Sequence, residues 1–251
     1  MSRALGVLVL ALLVLVLPAP AGAAPWSGDD VAGDVQAARM EAGRLCAATP
    51  VEAEAATSVD ITRMTVQHRP HVVMVRLRHV GADATDGRYL TLHVLTPRRE
   101  LLVDVSRLRP HGRWHVFLGD EPDWSPMDFD EDGDGTPDCH GWSAVMAERT
   151  CPQSAVTVAG PLLTVALPRT CLGSPTWVRF GAAESGLIDE VVVAVDTWGT
   201  SDLVVDPNTL IYGARVRTGR GDTRDTSRTL RGPVVRRTLL QSPAGLVLPT
   251  S

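Results

Sequence analysis

Lysine is absent, and all 24 basic residues are Arg. Ala, Val, Gly and Pro are abundant at the same time, so this bias fits a high genomic GC content and carries no functional meaning of its own. Phe and Tyr are scarce, three and two residues against six Trp. No G-x-S-x-G, H-E-x-x-H, P-loop or Rossmann signature occurs, which leaves hydrolase, zinc-protease and nucleotide chemistry without their usual residues. With no C-x-x-C and no paired Cys/His spacing, nothing points to a zinc-held fold.

A second long apolar run is missing too. The only one, Leu5 to Leu17, follows Arg3 and precedes Pro18 and the small residues "APAGAA". A charged start, an apolar core of about 7–15 residues and an A-x-A site describe a secretory signal peptide, whereas a membrane span needs ~20 apolar residues. The expectation is a signal peptide over 1–24, a secreted, extracellular mature chain and no membrane span within it. No Cys ends the apolar segment, which argues against a lipoprotein.

What is present begins with four Cys, all in the mature part: Cys46, Cys139, Cys151 and Cys171. An even count in a secreted chain argues for disulfides, and four Cys allow three pairings. Cys151 and Cys171 flank "PQSAVTVAGPLLTVALPRT", which reads as two short strands around Gly160-Pro161. Closing that hairpin is the simplest geometry, and it leaves Cys46 for Cys139.

Strand patterns dominate from Ser58. "HVVMVRLRH" sets Val73, Val75 and Leu77 against Met74, Arg76 and Arg78, and "VDITRMTVQH" alternates with a phase slip between Ile61 and Met64. Further strands are expected in "RYLTLHVLT", "ELLVDVSRL", "RWHVFLG", "SAVTVA", "LLTVALP", "TWVRFGAAE" and "DEVVVAVDTW". Many short strands without intervening helices predict an all-β antiparallel β-sandwich over residues 58–213. Before it, 25–57 reads as an N-terminal extension with one short helix from Val35 to Ala47. After it, 214–251 reads as an Arg-rich disordered tail. That tail carries eight Arg between Arg215 and Arg237 and the tripeptide Arg220-Gly221-Asp222, which such a composition produces by chance.

Four segments carry a family resemblance: "HVVMVRLRHV", "YLTLHVLTPRRELLVDV", "CLGSPTWVRFG" and "VDTWG". Across residues 58–205 the chain resembles uncharacterised secreted β-sandwich proteins of high-GC Gram-positive bacteria. The resemblance implies a jelly-roll-like sandwich bridged between Cys151 and Cys171, and it implies no activity.

The most specific chemical motif is "DFDEDGDGTPDCHGW", residues 128–142. Residues 130–138 are similar to the D-x-D-G-D-G-x-P-D unit of thrombospondin type 3 calcium repeats and to the first nine positions of an EF-hand loop. Gly141 stands where the EF-hand has its bidentate Glu, and the unit occurs once. Calcium takes six to eight oxygens at ~2.3–2.6 Å, and carboxylates two apart in a tight loop converge on one point. Asp130, Asp132 and Asp134 supply positions 1, 3 and 5, the Thr136 carbonyl supplies position 7, Asp138 supplies position 9, and Asp128 is the nearest further donor. From Asp120 to Asp138 there are nine acidic residues and no basic one, so the charge balance without them is 24 minus 20, net positive by four. The alternative is a solvated acidic loop over 128–141 with no ion.

The remaining candidates are weaker. His68, His71, His79 and His93 lie on or beside strands and His111 and His115 flank Trp114, a distribution that reads as surface or edge histidines. Trp177 and Trp198 sit in apolar strand patterns and read as core. Trp124 and Trp142 flank the acidic loop, where they either cover the loop and its bridge or offer a stacking face to a sugar ring. The chain is therefore expected to be a non-enzymatic secreted module with a calcium-stabilised loop, binding or structural, whose partner would be a glycan or cell-wall polymer and not nucleic acid. The competing reading is an extracellular hydrolase or carbohydrate-binding module acting on polysaccharide.

Overall fold

The structure is a computed structural model describing residues 24–41, 44–51, 58–81, 86–107, 112–120, 124–130, 132–187, 192–199, 211–218, 234–241 and 247–249. The expected signal peptide lies almost wholly outside these residues, as do His111 and the Arg-Gly-Asp tripeptide. The described residues form seventeen strands: β1 (Trp26–Asp29), β2 (Gln36–Glu41), β3 (Arg44–Val51), β4 (Ile61–His68), β5 (Val72–His79), β6 (Asp86–Leu95), β7 (Glu100–Arg107), β8 (His115–Asp120), β9 (Trp124–Phe129), β10 (Cys139–Thr150), β11 (Ala155–Ala159), β12 (Leu162–Pro168), β13 (Trp177–Leu187), β14 (Val192–Thr197), β15 (Val216–Arg217), β16 (Val234–Gln241) and β17 (Val247–Pro249). All pairings are antiparallel, and they form two sheets. The smaller runs β1-β4-β5-β12-β11, and the larger runs β17-β16-β10-β8-β7-β6-β13-β14-β2-β3, with β9 on β10 and β15 on β13.

Alternation in the sequence decides which side chains meet between the sheets. On β5, Val73, Val75 and Leu77 are fully buried, while Arg78 is exposed. The phase slip read between Ile61 and Met64 is a register shift between Ile61 and Arg63 against β5, a bulge that keeps both Ile61 and Met64 inside. Across the gap, Leu90, Leu92 and Val94 of β6, Leu101, Val103 and Val105 of β7, and Val178 and Phe180 of β13 complete one apolar core. Each such side chain contributes ~1.5–3 kcal/mol when fully buried. Trp198 is part of this core and meets Trp26 edge to face, with ring centroids 5.5 Å apart. Trp177 is only half-buried, and the Arg215 guanidinium lies over its ring.

Two disulfides are present, Cys46–Cys139 and Cys151–Cys171. The second closes the β11–β12 hairpin and sits in the core. The first joins β3 to the start of β10, strands separated by seven intervals along the sheet path. At ~4.8 Å per interval a flat sheet would hold them ~34 Å apart, yet their Cα atoms are 5.6 Å apart. The large sheet and the arm of β10 that extends beyond its pairing with β8 must therefore curl towards each other. Non-reducing peptide mapping should recover these two pairs, and a Cys139–Cys151 peptide would contradict both. Replacing Cys151 and Cys171 by Ser should cost ~3 kcal/mol in urea unfolding, the loop-closure entropy of a span of this length.

Three expectations are corrected. The helix from Val35 to Ala47 is replaced by strands β2 and β3. Ala, Glu, Arg and Met favour helix, but Gly43 interrupts the segment, and the open edge of β14 pairs with β2 from Arg39 to Gln36. Ala37 then packs with Val59, Val192 and Ala194 in a small second cluster. Within residues 25–57, β1 is an edge strand of the small sheet, and β2 and β3 lie at one end of the large one. The tail is not wholly irregular either: the β-branched and leucine-rich run "VVRRTLLQ" forms β16, which pairs with β10 over eight residues. Last, the histidines are not all at the surface, because His68, His79 and His93 are buried.

Candidate metal centre

Strands β9 and β10 form a hairpin, with Cys139 opposite Phe129 and His140 opposite Asp128, and residues 130–138 are its loop. The loop turns sharply because Gly133 and Gly135 adopt left-handed backbone, φ 76° and 86°, where a side chain would be strained. Its carboxylates hold it from within. Asp130 accepts from the Gly133 and Gly135 amides, both at 2.8 Å, Asp132 accepts from the Asp134 amide at 3.1 Å, and Asp134 accepts from the Thr136 amide at 2.7 Å. The Asp138 amide donates to the Phe129 carbonyl at 2.7 Å, and Cys139 pins the foot of the loop to β3.

This geometry gathers part of the expected ligand set. Oxygens of Asp130, Asp132 and Asp138 lie within 4.8 Å of one another, and all three residues are exposed. Asp134 and Asp128 are not in that group. Three convergent carboxylates fit a hard oxygen-binding cation, and calcium would need at least three more oxygens, from water, the Thr136 carbonyl or the other two Asp. Trp124 and Trp142 lie on β9 and β10 beside the loop, but their side chains fall outside the described part of the structure.

A second acidic group was not foreseen. Oxygens of Asp34, Asp60 and Asp196 also lie within 4.8 Å of one another, and Asp60 and Asp196 are 3% and 2% exposed. Asp34 follows Gly33 in the β1–β2 connection, Asp60 precedes β4, and Asp196 is near the end of β14. Burial pushes the Asp196 carboxyl up to about 8, against a hydrogen bond from the Ile61 amide and helped by the charges of Asp34, Asp30 and Asp60. Burial also raises Asp30 and Asp34. No local spacing could have revealed the group, since its members come from three distant segments. The one sequence hint is Asp30 and Asp34 bracketing a glycine turn in "DDVAGD".

Beside it in the core lies an ionic network. Glu184 on β13 receives hydrogen bonds from Arg88 Nε and, at 2.8 Å, from His79 Nε2. Arg88 also donates to the Ser58 carbonyl at 2.7 Å, and the Glu184 side chain has no exposure. The Arg88 and His79 charges hold the Glu184 carboxyl below its usual range, although burial opposes them. A cleft of 410 Å³ opens elsewhere, between the β6–β7 turn and residues 169–176, lined by Arg98, Arg99, Arg169 and Ser174 among others. Arg169 is spent on the Pro175, Pro70 and Ser174 carbonyls, and among the described residues no His, Asp or Glu lines the cleft.

The chain matches no known protein-family model. No curated protein and no solved structure proved similar to it either.

Proposed function

We propose that the chain is a secreted, non-enzymatic β-sandwich module, binding or structural at the cell exterior, whose 128–141 loop is closed by calcium. The observation that carries the reading is the convergence of Asp130, Asp132 and Asp138 on a glycine-built turn. Two disulfides and a described structure in which no helix is long and apolar enough to cross a membrane are compatible with an extracellular protein. The non-enzymatic reading is supported by the placement of the charged groups: the His79–Glu184–Arg88 network is sealed in the core, and among the described residues the 410 Å³ cleft is lined by no His, Asp or Glu. With the ion in place the loop carboxylates no longer repel one another, and the tip of the disulfide-tied hairpin becomes rigid.

Calcium that binds only the folded loop should stabilise the fold by ~2.7 kcal/mol at a hundredfold excess over its dissociation constant. Asp132→Ala should abolish the loop's share of that gain and leave the calcium-free protein unchanged or slightly more stable. Equal calcium responses in wild type and Asp132→Ala would remove the loop from the account. A glycan and cell-wall polymer binding screen on the purified protein addresses the partner.

A further inference from the structure

We propose that Asp34, Asp60 and Asp196 form a second, buried calcium site that clamps the N-terminal strands to both sheets. The three carboxylates share one centre, and each keeps one buried oxygen, Oδ1, that no hydrogen-bond donor reaches. The other oxygens of two of them are fixed: Asp60 Oδ2 accepts from the Gly33 amide at 2.8 Å, and Asp196 Oδ2 from the Ile61 amide at 2.5 Å. These bonds hold the Asp60 and Asp196 carboxylates in one orientation, so their donor-free oxygens are set by the backbone and do not wander into solvent. Among the described residues no Arg or His forms an ion pair with any of the three. Asp30 adds a further negative charge beside them while its own oxygens accept from the Gly199 and Val31 amides. Buried acidic oxygens without donors are rare unless an ion or an unseen partner satisfies them.

The donor set selects the ion. All members are carboxylate oxygens, with no nitrogen or sulfur, which is the chemistry of hard divalent cations. A calcium shell of ~2.3–2.6 Å spans ~4.6–5.2 Å, which accommodates oxygens up to 4.8 Å apart. Magnesium, at ~2.0–2.1 Å, demands near-ideal octahedral geometry with retained waters. Asp34 belongs to the β1–β2 connection, Asp60 leads into the small sheet at β4, and Asp196 is the last residue but one of β14 in the large sheet. An ion on all three would join these segments at one end of the sandwich.

The test is calcium binding by the purified protein, counted by equilibrium dialysis and followed by thermal unfolding in calcium, magnesium and chelator. Asp60→Asn and Asp196→Asn keep an oxygen for the Gly33 and Ile61 amides while removing the charge, so the fold survives, as circular dichroism in chelator will report. In the background of Asp130→Asn, Asp132→Asn and Asp138→Asn, one calcium per chain should remain, and its affinity should fall at least tenfold on adding Asp196→Asn. The Asn variants should melt as high as or higher than wild type in chelator and lower than wild type in calcium. One calcium retained in the loop variant supports the inference even where wild type also binds only one, a result that would instead sink the loop site. Loss of all calcium binding in the loop variant overturns it and leaves the loop reading standing. Equal or greater stabilisation by magnesium also overturns the calcium assignment.

Discussion

Acidification from pH 7 to pH 4 should cost the wild-type fold on the order of 6 kcal/mol more than a variant carrying His68→Gln and His93→Gln. Burial lowers His68 to about 4 and His93 to about 3 from an ordinary value of 6.5. His68 sits at 1% exposure with Nδ1 3.1 Å from the Val216 carbonyl, and His93 lies between the buried Leu92 and Val94. Between pH 6.5 and about 4 the unfolded chain takes up protons at both sites and the folded chain does not. Stability from these groups is therefore flat above pH 6.5 and falls by ~1.4 kcal/mol per pH unit per site below it. A loss of this size is comparable to the whole stability of a typical domain. The comparison with the variant is needed because Asp196 titrates in the opposite sense: its raised value makes the metal-free fold gain stability as pH falls from about 8. Urea unfolding at four pH values gives the two curves, and parallel curves would show that the two rings are protonated inside the fold.

Glu184→Ala should destabilise the protein by ~3–5 kcal/mol, a drop in melting temperature of roughly 10 °C. The cost comes less from the lost pair than from what is left behind. Arg88 has a side chain only 5% exposed, and without Glu184 its charge faces the Ser58 carbonyl and His79 alone. Glu184→Gln should lose nearly as much, because an amide cannot neutralise the guanidinium. Since the carboxyl is held below its usual range, the stability it contributes is present above pH 4.5 and lost as pH falls further. A loss below ~1 kcal/mol for either variant would mean that water or a rearranged partner reaches Arg88.

Much of the sandwich is legible in period-two alternation, because burial between two sheets acts directly on that pattern. The same pattern held information that a reading of histidines as polar residues discards. His68 continues Met64 and Val66, and His79 continues Val73, Val75 and Leu77, so parity alone puts both rings inside. The acidic loop is legible because its ligands are local, and a glycine at each left-handed position marks the turn. The β2–β3 hairpin is not, since its Ala-rich residues favour helix and only the edge of β14, contributed by residues 192–195, makes them strand. The Asp34, Asp60 and Asp196 group is invisible for the same reason. Its chemistry exists only after distant segments are folded together.

The most direct test of the calcium account is the melting temperature of the purified protein in millimolar calcium and in chelator, with calorimetric titration of the stripped protein. The account predicts a higher melting temperature in calcium, saturable binding heat, and a rise that shrinks in Asp132→Ala. Identical melting temperatures in calcium and chelator, together with no binding heat, would contradict it.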